Sequence, residues 1–75
     1  SAVILGGFMY VVIFTKKEKF FMGHEIERFA GLNGDVVEFS HNSGKFETRD
    51  AAIDAGRRSA TRLGKGNWKM KIVKQ

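Results

Sequence analysis

The sequence predicts a small single α+β domain, in which one helix covers one face of an antiparallel or mixed sheet in the order β-β-β-α-β. Three observations predict it. Phe8 to Thr15, FMYVVIFT, is β-branched and aromatic with apolar residues on both parities, the mark of a central strand. Asn33-Gly34, set between apolar runs, is a strong hairpin signal. Thr48 to Leu63 is the clearest stretch with helical periodicity and recognisable ends.

The first strand runs into the charged turn Lys16-Lys17-Glu18-Lys19. The segment KFFMGHEIERF then reads two ways. Phe20, Met22, His24 and Ile26 alternate as in a strand, while Ile26, Phe29 and Ala30 before Gly31 suit one or two helical turns. A strand is the better reading, because the next segment needs an antiparallel partner. A type I′ turn at Asn33-Gly34 leads into a third strand, Val36 to Ser40, and His41-Asn42-Ser43-Gly44 forms a loop.

The helix, about 48–63, opens on a capping Thr48 with Asp50 in its positive first turn, and stops at Gly64. Ala52, Ala55, Gly56, Ser59, Ala60 and Leu63 fall on one stripe of mostly small residues. Such a helix sits close to its sheet, and larger side chains such as Phe39 or Ile13 are expected to supply volume from the other side. In the last strand, NWKMKIVK, Trp68, Met70 and Ile72 point inward, and Lys69 and Lys71 stand on the opposite face.

The chain has 75 residues and no cysteine. Neither a disulfide nor a thiolate metal site can supplement so small a core, and a cytoplasmic, reducing location fits. The apolar run Ala2 to Phe14 is shorter than the roughly 20 residues a membrane-spanning helix needs, so no membrane contact is expected. The domain is read as 9–75, with 1–8 a leader, an extra strand or a tag remnant.

The charge is uneven. Residues 45–75 carry nine basic against three acidic side chains, residues 1–44 four against five, and the whole chain is +5. That asymmetry points to an anionic partner. Arg57, Arg58 and Arg62 on the outer helix, Lys65 in the loop GKG, and Lys69 and Lys71 on the sheet are the candidate nucleic-acid or anion contacts. Asp54 can pair with Arg57 or Arg58, which neutralises one arginine only. A sheet face that mixes aromatics with lysines would let bases stack while phosphates meet cations. The same face is the expected homodimer interface, with Tyr10, Val11, Val12 and Phe14 as its candidate residues; either parity of the first strand could be the outward one.

Catalysis is not expected, and neither is a metal or cofactor. His24 and His41 lie in separate segments and fall short of a zinc set, and a two-histidine nuclease would need both with Lys45. Ser43-Gly44-Lys45 lacks the rest of a phosphate-binding loop. The expectation is therefore a non-enzymatic binding protein that contacts nucleic acid. The alternative is an interaction module of phage or mobile-element type that engages an acidic host protein through the sheet face.

Residues 29–60 carry Ala30, the turn Asn33-Gly34-Asp35, the pair Val36-Val37, Ser40, and a helix opening Thr48-Arg49-Asp50-Ala51-Ala52. This pattern resembles the YegP-like strand–strand–helix units, small bacterial domains of unknown function. The resemblance implies a small α+β fold whose units can pair their sheets, and implies no reaction. The strand WKMKIV and the basic cluster depart from the pattern.

Overall fold

A computed structural model describes residues 9–17 and 23–75. The readings made for 1–8, for Glu18 and Lys19, and for Phe20 and Met22 lie outside the described residues. Four strands form one antiparallel sheet: β1 (Tyr10–Lys17), β2 (Glu25–Ala30), β3 (Val36–Val37) and β4 (Lys69–Lys74), in the order β3-β2-β1-β4. A 3-10 turn (Ser40–Asn42) and one helix, α1 (Arg49–Leu63), stand between β3 and β4. The α+β class and the element order agree with the sequence reading, and β1 is central.

The helix is set by its ends. Thr48 Oγ1 accepts from the Ala51 N–H at 3.1 Å, and Gly64 closes the other end with φ 77°. Ala52, Ala55, Gly56 and Ser59 are buried against the sheet, whereas Ala60 at the margin of the expected stripe is exposed. The approach is close: a Cβ on Gly56 would lie 2.7 Å from Met70 Sδ and 3.1 Å from Val12 Cγ1. This packing compensates the roughly 1 kcal/mol that glycine costs within a helix. Ser59 is buried and its hydroxyl donates to the Asp35 carbonyl at 2.9 Å, which ties the helix to the β2–β3 turn.

The volume opposite the small stripe comes from Val12, Phe14 and Phe46, with Tyr10, Leu63, Trp68 and Ile72 around them. Phe39 and Ile13 do not supply it. Phe39 is 58% exposed, and Ile13 pairs with Phe29 and Lys71 on the other face of the sheet. Phe46 pairs with Tyr10 through two backbone bonds of 2.7 and 2.9 Å, and so continues the sheet beside β1 past the end of β2.

Three local expectations are corrected. Lys16 and Lys17, read as part of a charged turn, belong to β1 and pair with Ile26 and Glu25 of β2. The β2–β3 turn is closed by the Gly34 N–H donating to the Gly31 carbonyl at 3.2 Å, so Leu32 and Asn33 are its central residues. Gly34, with φ 79°, follows as the left-handed residue of a longer hairpin loop, in place of a two-residue type I′ turn. The third strand stops at Val37 because the chain turns on itself. Asn42 N–H donates to the Phe39 carbonyl, and both the N–H and the hydroxyl of Ser43 donate to the Ser40 carbonyl.

Candidate nucleic-acid interface

Because α1 buries its small stripe, its arginines face outward. Arg57, Arg58 and Arg62 are all exposed, and Lys65 follows in the exposed loop after Gly64. Arg58 is restrained. Its Nη1 lies 3.1 Å from Asp54 Oδ2, and its side chain packs over the β2–β3 turn, where a Cβ on Gly34 would meet Arg58 Cβ at 2.8 Å. Arg57, Arg62 and Lys65 have no acidic partner among the described residues. Arg62 and Lys65 stand at the end of the helix and just past it, while Arg57, five residues before Arg62, lies about 140° away around the helix on the other flank of its outer surface. Such forks and ammonium groups, backed by glycine, suit phosphate oxygens.

Lys69 and Lys71 belong to a different surface. They pair with Thr15 and Ile13, on the face of the sheet turned away from α1. The six expected anion contacts therefore split into a helix set and a strand set on opposite sides of the sheet. On that second face lie Val73 beside Val11, the row Lys71–Ile13–Phe29–Val37, the row Lys69–Thr15–Glu27, and Lys17 beside Glu25.

Of the four residues expected at an interface, only Val11 stands on this second face. Tyr10, Val12 and Phe14 are of the other parity and pack under α1, because the small stripe needs large side chains opposite it. Among the described residues the face offers little aromatic surface for stacking. The one aromatic that the described strands place there, Phe29, is only 7% exposed, and Val11 is 3% exposed. Glu25 and Glu27 on the same face would repel phosphates.

A feature absent from the sequence reading lies at the far end of β1, on the helix side. Lys16 Nζ stands 5.6 Å from the centroid of the Trp68 ring. Trp68 is half-buried, and with Phe14, Leu63, Met70 and the glycines 64 and 66 it lines a slot of about 200 Å³ between the helix end and β4. A separate cleft of about 450 Å³ at the same end of β1 is bordered by Lys16, Lys17, Lys69, Asn67 and Glu25, most of them residues of the opposite sheet face. Positions 16 and 68 are 52 residues apart, and no spacing rule connects them. The signal was the parity of β1 and β4 combined with the Phe14–Met70 pairing, which only the register supplies.

His24 stands exposed just before β2, and His41 stacks on Phe39 with ring centroids 5.7 Å apart in the 3-10 turn. Among the described residues no cluster of three or more histidine, cysteine, aspartate or glutamate side chains could hold a metal ion. Nor is any described helix long and apolar enough to cross a membrane. Comparison with family models, with curated proteins and with solved structures finds no match to the chain.

Proposed function

We propose that the protein is a non-enzymatic binding protein whose helix surface contacts the phosphate backbone of nucleic acid. The observation that carries this reading is the pair Arg62 and Lys65 at the end of the helix, with Arg57 on its other flank, all three exposed and in no ion pair among the described residues, whereas Arg58 is already paired. Three or four phosphate contacts predict that affinity falls between roughly 50 and 200 mM salt by about 20- to 50-fold for a single strand and about 40- to 150-fold for a duplex. Arg62→Glu combined with Lys65→Glu should abolish binding and lower the unfolding midpoint by no more than the few degrees that reversing a charge in the last helical turn costs, since both side chains are exposed. Fluorescence anisotropy with a labelled oligonucleotide measures the binding and its salt dependence, and thermal unfolding followed by circular dichroism measures the midpoint. An affinity indifferent to salt rules the phosphate contact out.

A second reading, homodimerisation through the other sheet face, is favoured by its charge layout. A two-fold axis along the strands would set β4 of one copy over β2 of the other, with Lys69 facing Glu27. The half-exposed Ile13, Val37 and Val73 would then be buried between the sheets. Light scattering should give a dimer mass that Ile13→Glu converts to a monomer. A monomer at high concentration of the unaltered chain removes this reading.

A further inference from the structure

We propose that the slot between the end of α1 and β4 receives one unpaired base of a single-stranded nucleic acid; this rests on the phosphate-contact reading above. The slot's size limits its occupant. At about 200 Å³ it falls below the ~300–1,000 Å³ of sites that enclose a whole small ligand, and has room for one flat ring. Its walls suit such a ring. Trp68 offers an aromatic surface, Leu63 an aliphatic one, and Met70, 43% exposed, a polarizable thioether. A Cβ placed on Gly64 would meet nothing within 4 Å, so a strand can pass close to the backbone there.

One cation is placed at the slot, and two more are chain neighbours of its lining residues. Lys16 Nζ stands over the Trp68 ring, and Arg62 and Lys65 flank Leu63 and Gly64 in the chain. A ring seated against Trp68 therefore has its own phosphates among positive charges. The slot is lined chiefly by apolar side chains and glycine, so it holds a base by stacking and reads little of its identity. A base inside a duplex is already stacked and cannot enter, which makes the single strand the preferred form.

Trp68 is the only tryptophan, so its emission reports on this slot alone. The unaltered chain is titrated at low salt with a single-stranded oligonucleotide of about eight nucleotides and with its duplex, following both Trp68 emission and anisotropy. Saturable quenching by the single strand is expected, with the duplex bound at least about tenfold more weakly. Trp68→Leu should lower single-strand affinity by about 5- to 150-fold, the range for losing one stacked base, and Trp68→Phe should largely keep it. Should Trp68→Leu fail to fold, the emission of the unaltered chain still decides. Salt-dependent binding that is equal for both forms, with Trp68 emission unchanged, overturns the slot and leaves the phosphate reading standing. Failure of both oligonucleotides to bind at low salt overturns the phosphate reading, and the slot with it.

Discussion

Phe14→Ala is expected to lower stability by about 3–5 kcal/mol. Phe14 is 1% exposed and sits at the centre of the sheet's helix side, paired with Met70 of β4 and Arg28 of β2. Ala52 and Ala55 face the same core from the helix. Neither can extend into the space a lost ring would leave, so the cavity would stay largely open. A 75-residue domain has roughly 4–11 kcal/mol in total, and a loss of this size takes a large part of it. Urea denaturation measures the effect, provided the slope with denaturant is retained. The neighbouring Ile13→Ala is the control: Ile13 faces the other side and is half-exposed, so its truncation should cost clearly less. If Ile13→Ala proved the costlier of the two, the main core would lie on the wrong face of the sheet.

That control also separates what the sequence could reveal from what it could not. β1 reads as central because both parities are apolar, and the same property hides which side meets the helix. Val12 and Phe14 against Val11 and Ile13 is an even contest until a partner is placed. The helix was legible at both ends, because Thr48 and Gly64 act within a turn of themselves. Its small stripe was legible for the same local reason. Phe46 was not, since one apolar residue between Lys45 and Glu47 carries no period, and its place in the core depends on pairing with Tyr10, 36 positions away. The turn at Gly34 was legible as a hairpin but not in type, because its closing bond begins at Gly31.

The candidate site divides along the same line. Arg57, Arg58 and Arg62 can be placed on the outer helix from spacing alone. That Arg58 is held over the β2–β3 turn, and so offers less to a ligand than Arg62, depends on a contact between segments 24 residues apart. Lys69 and Lys71 are readable as a strand pair of one parity. Their separation from the helix cations follows from the side of the sheet that α1 occupies. The Lys16–Trp68 pair and its slot arise from strand register, which no local pattern encodes.

Gly44→Ala should destabilise the domain by about 1–3 kcal/mol, although the position reads as an ordinary loop. A Cβ there would lie 2.8 Å from the Leu32 nitrogen and 2.9 Å from the Gly31 carbonyl carbon, and 2.9 Å from Phe46 Cζ. The first two are backbone atoms, which cannot rotate aside as a flexible side chain would. Relief requires parting the 44–46 segment from the β2–β3 turn. That stretches the 2.8 Å bond from the Gly44 N–H to the Ala30 carbonyl and shifts Phe46 in the core. Gly64→Ala is the contrasting case. With φ 77° and open space around it, its cost is conformational and confined to the helix end. Hydrogen exchange distinguishes the two: Gly44→Ala should expose the Gly44, Phe46 and Tyr10 amides, and Gly64→Ala should leave all three protected. A Gly44→Ala protein as stable as the unaltered chain to within about 0.5 kcal/mol, the ordinary effect of a neutral surface change, would mean that this segment does not seat on the turn at all.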